Sequence, residues 1–376
     1  MKRTKWEKNK YDWSCIVLLT LFLLLPRIGW AADSVIHISI DGLYANAIEV
    51  IGTDQLPGFK RLMDEGAYTL EARTDLNNTF TLPNHTSQIS GRRVLESIGG
   101  HGWTANSNLL IDEDDSIHNG SSGYIETTFD VVHDNAMSTS LYASKDKFIL
   151  FEQSLSATNG RQDTTGADNG RDKIDQYVYD SNTANLVSLF LSDLGSQFRH
   201  YAMLHLADPD LTGHANTWSL VENSPYLNSI KTVDGYLVQL LSFLDQTPEY
   251  DNVAIVLSSD HGGQIGWINH SPSNARSHVI PFMVWGAGVD SGDLYSFNPC
   301  SSKQPDELEL PSYGSFPQPI RNLDVANTVL LLLGLGELPD AQARAVRNLT
   351  TAEQVCDDPS PYILLDQNGN PINIWL

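Results

Sequence analysis

The amino-acid sequence predicts an α/β fold: a doubly wound, largely parallel central sheet with helices on both faces and a lid-like insertion. Two observations carry this. Short β-branched runs, such as residues 35–40 and 252–257, alternate with longer segments of helical periodicity, the order that places covering helices between parallel strands. Acidic residues and histidines then stand where the apolar runs end, at Asp41, Asp210, Asp260 and His261. In open α/β sheets, ligands gather at the carboxyl ends of the strands.

Residues 35–40 read as a buried strand that delivers Asp41. Residues 56–66 read as a helix starting near Pro57 and stopping at Gly66. A second strand follows at 68–73, and 84–90 suit a helix turn just beyond Thr81. Residues 107–135 are polar, acidic and Gly/Ser-rich, and are expected to form an insertion or lid rather than core. A strand resumes at 138–143, 155–174 are loop, and 177–194 have helical periodicity. Residues 200–206 are a strand leading to Asp208-Pro209-Asp210. Ser224-Pro225 caps a long helix with apolar Leu227, Ile230, Val233, Leu237 and Leu241. Residues 280–285 are another strand, 287–320 an irregular Pro/Ser-rich stretch, and 323–335 a final helix.

The chain has 376 residues, 41% of them hydrophobic, enough for one large α/β domain with a sizeable core or for two small ones. Its start reads as a secretory signal. Lys2, Arg3, Lys5, Lys8 and Lys10 precede the apolar stretch Cys15 to Leu25, and Gly29-Trp30-Ala31 offers small residues for a cut after Ala31. That stretch is short for a bilayer span. The expected division is therefore a signal at 1–31 and one domain at 32–376, exported to a periplasm or the medium, with no stable membrane span after cleavage. Residues 32–376 keep 17 basic and 44 acidic residues, a formal charge near −27, which excludes a general affinity for duplex nucleic acid. Cys300 and Cys356 remain beyond the signal and are expected to bond in an oxidising compartment.

Aspartate and histidine are zinc ligands. Asp210 and His214 are spaced so that one helical turn presents both on one face. Asp260-His261 precede Gly262-Gly263. A turn there, which the glycines permit, lets both side chains address one ion; otherwise they face different ions.

In chain order, Asp41, then Thr81-Leu82-Pro83-Asn84-His85, then Asp210-Leu211-Thr212-Gly213-His214, then Asp260-His261-Gly262 and a late histidine resemble the alkaline phosphatase superfamily. More narrowly, the set is similar to its type I phosphodiesterase/nucleotide pyrophosphatase branch. His101-Gly102-Trp103-Thr104-Ala105-Asn106 resembles that branch's His-Gly-x-x-x-Asn element, and residues 321–328 resemble the superfamily's entrance to its C-terminal helix. The likeness covers roughly residues 34–336. It implies two divalent ions, expected to be zinc. One would be held by Asp210, His214 and the late histidine, the other by Asp41, Asp260 and His261. The family's spacing to the next strand favours His270 over His278 as the late ligand. Thr81 would be the nucleophile and would touch the second ion, where a divalent cation favours its alkoxide. Asn106 would donate to a non-bridging phosphoryl oxygen, and the amides opening the helix after Thr81 would face the anion. A phospho-threonine would form and then be hydrolysed.

Leu82 stands where the branch carries an aromatic that helps stack a base, so it is expected at the substrate and leaves nucleotide preference open. Lys145 and Lys147 follow a strand near where Thr-using phosphomonoesterases of the superfamily carry Lys-x-Arg. A lysine at the second position lacks arginine's bidentate fork. The expectation is an exported two-metal hydrolase of a small phosphate ester, with phosphodiester or pyrophosphate bonds favoured. The alternative is a phosphomonoesterase that uses Lys145. Sulfatases of the fold use a Cys/Ser-x-Pro-x-Arg motif, which Thr81 to His85 lacks. A non-catalytic binding protein would have lost site residues, and none is missing.

Overall fold

In chain order the strands are β1 (Ser34–Ile40), β2 (Ala67–Arg73), β3 (Thr139–Ala143), β4 (Tyr177–Tyr179), β5 (Tyr201–Leu206), β6 (Val253–Ser258), β7 (Val279–Gly286) and β8 (Gly292–Asp293). They form one eight-stranded sheet in the order β4-β3-β5-β1-β6-β7-β2-β8. The computed structural model describes residues 31–107, 115–121, 123–163, 170–351 and 356, and a short strand pair at 364–365 and 371–372. The expected signal lies outside the described residues, Ala31 excepted. Among the described residues no helix is long and apolar enough to cross a membrane.

β1 pairs in parallel with β5 and β6, and β3 in parallel with β5 and β4. β7 runs antiparallel to β6 and β2. The β6–β7 connection, residues 259–278, holds no crossover helix, so the chain re-enters the sheet from the edge it left. The sheet is thus the largely parallel one that the sequence predicts.

The helices are α1 (Asn46–Ile51), α2 (Pro57–Glu65), α3 (Thr81–Ser90), α4 (Thr128–Asp134), α5 (Ile149–Ser154), α6 (Thr183–Ser196), α7 (Asp208–Asn216), α8 (Pro225–Gln246), α9 (Leu294–Phe297) and α10 (Asp324–Leu332). Strand side chains alternate between faces. Ile36, Ile38 and Ile40 of β1 pack with α1, α2, α6 and α8. Val35 packs on the opposite face with α3, α4, α5 and α10. α8 starts as its sequence directs: the Ser224 hydroxyl accepts from Leu227 N, and Pro225 fills a first-turn position where a missing N–H costs nothing.

The same alternation explains two polar residues inside β1. His37 and Ser39 share a face with Val35 and meet α3. His37 Nε2 lies 2.9 Å from Gln88 Oε1, and Ser39 Oγ lies 2.8 Å from His85 Nε2. His85 Nδ1 lies 2.8 Å from the Thr81 carbonyl. A backbone carbonyl only accepts, so Nδ1 carries the proton and Nε2 accepts from Ser39. The central strand thereby fixes the helix that begins at Thr81.

Three expectations need correction. Residues 177–194 are not all helix: Tyr177–Tyr179 form edge strand β4 beside β3, and α6 starts only at Thr183. The segment 107–135 is not wholly lid. Ile117, Ile125, Phe129 and Val132 are fully buried in one core cluster, and α4 is capped by a reciprocal Thr127–Asp130 box. Its acidic run at 112–114 lies outside the described residues. The irregular stretch 287–320 contains β8 and α9, which pack against β2. Cys300 and Cys356 are bonded, as the sequence leads one to expect.

Trp218 shapes the carboxyl edge of the sheet. It is fully buried, and its Nε1 donates to the Gly42 carbonyl at 3.1 Å. Two motif glycines lie flat against its indole. A Cβ on Gly213 would come 2.5 Å from the ring, and one on Gly263 only 2.0 Å. Both segments carry candidate metal ligands, so the indole sets their separation. Gly263→Ala is expected to lower stability by ~1–3 kcal/mol through overpacking, measured by urea unfolding; an unchanged midpoint would contradict the role given to Trp218.

Candidate two-metal active site

Four adjacent parallel strands, β3, β5, β1 and β6, end on one edge of the sheet. β1 delivers Asp41, β6 delivers Asp260 and His261, and β3 delivers Lys145. β5 runs into α7, which carries Asp210 and His214 one turn apart. β2 ends at Arg73, and the loop after it leads to Thr81 at the start of α3. The three aspartates are locked together through the main chain. Asp210 N donates to the Asp41 carbonyl at 3.1 Å, and Gly42 N donates to Asp260 Oδ1 at 3.1 Å.

All three histidines have the same tautomer. Nδ1 faces a backbone carbonyl in each: Gly262 O at 2.7 Å from His261, Ile268 O at 2.7 Å from His214, and Thr79 O at 2.8 Å from His270. In the neutral ring each Nε2 is therefore the lone-pair nitrogen. His214 Nε2 and His270 Nε2 face each other at 3.2 Å, and the Asp210 carboxylate beside His214 raises its pKa above the ordinary histidine value, so a cation held there would take the place of a proton. Asp41 Oδ1, Asp210 Oδ1, Asp260 Oδ2 and His261 Nε2 are buried without a hydrogen-bond partner among the described residues.

These atoms converge. His261 Nε2 lies 3.2 Å from Asp260 Oδ2, 3.6 Å from Asp41 Oδ1 and 3.8 Å from Asp210 Oδ1. His214 Nε2 and His270 Nε2 lie 3.3 and 3.9 Å from Asp210 Oδ1. Asp210, His214 and His270 form one group that can hold a cation, and Asp41, Asp210 and His261 another. Buried acceptors normally have partners, so the donor set fits divalent ions. Asp210 belongs to both groups, which differs from its expected assignment to a single ion.

His278 lies apart from this cluster. Its ring nitrogens face the Asp75 and Pro272 carbonyls at 3.0 and 2.8 Å. His270 is instead held by Thr79, whose carbonyl accepts from its ring and whose hydroxyl donates to its carbonyl. The loop before the nucleophile candidate thus positions the late histidine too.

The Lys145 ammonium sits among the carboxylates, 2.7 Å from Asp41 Oδ2, 2.6 Å from Asp210 Oδ2 and 3.5 Å from Thr81 Oγ1. Burial opposes its charge, but Asp41, Asp210 and Asp260 outweigh burial and hold its pKa above the ordinary lysine value. Burial likewise opposes charge on Asp41, and Lys145 and His205 overcome it, holding that carboxyl well below the usual range. Asp260 is pushed well up, by burial and then by the charge of Asp41. His270 is pushed down to about 3 by burial and its neighbour His261. One ammonium does not balance three buried carboxylates, and Asp260 shows the shortfall.

Lys147 reaches Asn106 rather than the carboxylates, donating to its carbonyl at 2.9 Å and to its Oδ1 at 3.3 Å. Asn106 Oδ1 also accepts from Leu82 N at 3.0 Å. This corrects the expected run of free helix amides: Leu82 N–H is already donated and Pro83 has none, so Thr81 N–H is the first-turn amide left to face an anion. Leu82 itself is not a substrate contact, because its side chain is fully buried in the core. The exposed aromatic is Phe80, 41% exposed and edge-on to His270 at 6.0 Å between centroids. Its place next to Thr81 was the available signal. His205 was also missed. It reads as a strand histidine, yet its Nε2 lies 2.9 Å from Asp41 Oδ2 and fixes that carboxylate.

The type I phosphodiesterase / nucleotide pyrophosphatase family matches residues 35–266. GPI ethanolamine phosphate transferase 1 of Aspergillus fumigatus is 27% identical over 232 residues, 58% of this chain and 20% of that protein. The Mus musculus protein of the same name is 33% identical over 87 residues, 23% of this chain and 9% of that protein. The chain thus matches a fifth or less of the length of these relatives. Among solved structures, murine ectonucleotide pyrophosphatase / phosphodiesterase 5 in complex with AMP aligns with a TM-score of 0.54 at 14% identity, covering 82% of this chain and 96% of that one. An alkaline phosphatase superfamily protein from Vibrio parahaemolyticus aligns with a TM-score of 0.53 at 12% identity, covering 83% and 68%. The sheet order, the motif residues gathered at its carboxyl edge and the family match agree: this chain belongs to the type I phosphodiesterase / nucleotide pyrophosphatase family, within the alkaline phosphatase superfamily fold.

Proposed function

We propose that this protein is an exported, two-metal hydrolase of phosphate esters that works through a phospho-threonine at Thr81, with phosphodiester or pyrophosphate bonds as its preferred substrates. The observation that carries this is the set of bare buried acceptors beside Thr81. Asp210, His214 and His270 would hold one ion; Asp41, Asp260 and His261 would hold the other, with Asp210 within reach of both. Zinc suits the mixed His/Asp donors. Divalent ions bound there would supply Lewis-acid stabilisation of charge on the phosphoryl and nucleophile oxygens.

The chain's own groups account for the rest. Thr81 Oγ1 gives up its proton and attacks phosphorus, the new Oγ1–P bond replaces the bond from phosphorus to the leaving oxygen, and the leaving alcohol or phosphate takes up that proton. Water then cleaves the phospho-threonine and frees phosphate or the phosphomonoester. Asn106 Oδ1 is occupied by Leu82 N and Lys147, which turns the Asn106 amide N–H₂ outward as a donor to a non-bridging oxygen. Lys145 can shift from the carboxylates to the phosphoryl oxygens once other cations balance the aspartates. Phe80 is the surface on which the non-reacting part of a substrate would rest.

A second reading rests on the relatives named as ethanolamine phosphate transferases. In it an alcohol replaces water in the second step, and the site residues keep the same roles.

The zinc-supplied protein is expected to cleave bis-p-nitrophenyl phosphate, to lose that activity in EDTA, and to lose roughly 10³-fold or more in kcat in Thr81→Ala. Full activity in Thr81→Ala would remove Thr81 as nucleophile. Lys145→Ala is expected to lower kcat/KM for p-nitrophenyl phosphate roughly tenfold more than for the bis ester, since a monoester carries the extra charge. An equal loss on both esters would confine Lys145 to balancing the aspartates.

A further inference from the structure

A cavity of about 480 Å³ opens beside Cys300, and none of the candidate metal ligands lines it. Arg93, Arg321, Arg344 and Arg347 line it, together with Tyr313 and Phe316. These are four of the 11 arginines in residues 32–376, gathered at one place in a chain of formal charge −23. Its acidic lining residue, Asp324, is occupied: its oxygens accept from Arg321 N at 2.8 Å and Ala345 N at 2.9 Å.

Two of the four guanidiniums are committed. Arg321 donates to the Thr74 carbonyl at 3.0 Å and the Pro311 carbonyl at 2.9 Å, and Arg347 pairs with Glu337. The other two make no side-chain hydrogen bond or ion pair among the described residues: Arg93 stacks 4.0 Å over the Tyr313 ring and bonds Gln342 Oε1 only through its main-chain N–H, and Arg344 is exposed. The Tyr313 hydroxyl is spent on Asp75 Oδ2 at 2.6 Å, and its ring lines the cavity with the Arg93 and Arg321 guanidiniums 4.0 and 4.9 Å from its centre. Phe316 leaves 59% of its surface exposed at the rim.

We propose that this cavity binds a small organic oxyanion, its carboxylate or phosphate held by Arg93 and Arg344 and its apolar body laid against Tyr313 and Phe316. A guanidinium offers paired N–H donors that match the two oxygens of either group. The volume falls within the range of small-molecule sites, and an apolar wall with a few convergent polar groups is their usual make-up. The binding residues are distinct from the metal-site residues. The cavity nonetheless leans on the loop that leads to Thr81, because Arg321 holds Thr74, whose hydroxyl donates to Asn84 of α3 at 2.5 Å.

Calorimetric titration of the full, zinc-supplied protein with phthalate and with phenylphosphonate tests this, one probe for each oxyanion. At least one is expected to bind, and Arg93→Gln/Arg344→Gln is expected to weaken it roughly tenfold or more; the arm that binds identifies the oxyanion. Thermal melting checks that the double variant folds. If it does not, the exposed Arg344→Gln alone carries the test with the same expected direction. Unchanged affinity in the folded variant, or no binding of either probe at millimolar concentration, would overturn the site. The sequence places Asp357 and Asp358 directly after Cys356, the partner of Cys300. Binding that appears only in Asp357→Asn/Asp358→Asn would assign the cavity to the chain's own carboxylates and also overturn the proposal.

Discussion

The charge of three buried carboxylates at one edge of the sheet is the constraint on which the rest of the structure depends. Asp41, Asp210 and Asp260 are essentially removed from solvent and share one small volume. Leaving a buried charge uncompensated costs several kcal/mol. Lys145 supplies one positive charge against them. The pKa directions record the remainder: Asp41 and Asp210 are held down, while Asp260 is driven up. The Nε2 atoms of three histidines, each turned inward by a carbonyl at its Nδ1, complete a donor set that further cations would balance.

The parallel sheet makes this concentration possible. Adjacent strands running the same way bring their ends to one edge, so residues far apart in sequence meet there. The connections then set the geometry. Trp218 spaces the glycine-bearing segments of α7 and the turn after β6. Thr79 ties His270 to the loop before Thr81, and β1 anchors α3 through Ser39 and His85. A change at any of these places would move a candidate ligand relative to the nucleophile.

Much of this was legible in the sequence, for physical reasons. Fully buried parallel strands are continuous β-branched runs, so β1 and β6 stood out, and the acids that follow them marked the functional edge. β4 was hidden because its short aromatic run, Tyr177–Tyr179, merges with the apolar pattern of α6. Residues 107–135 read as a polar insertion, although Ile117, Ile125, Phe129 and Val132 are core; composition hid what position revealed. Within the site, spacing nominated both His270 and His278 and favoured His270, and the fold separates them by turning His278 onto two backbone carbonyls. The path of a flexible side chain is not written locally. The place of Lys145 among the aspartates, the burial of Leu82 and the exposure of Phe80 each depend on residues far away in the chain.

The most direct test is the zinc stoichiometry of the metal-stripped protein, measured by titration against a chromophoric chelator. The account expects two ions per chain, one of them lost in His214→Ala and both weakened in Asp210→Ala, because Asp210 lies within reach of both groups. A protein that binds no zinc, or whose zinc binding is unchanged in Asp210→Ala, would contradict it.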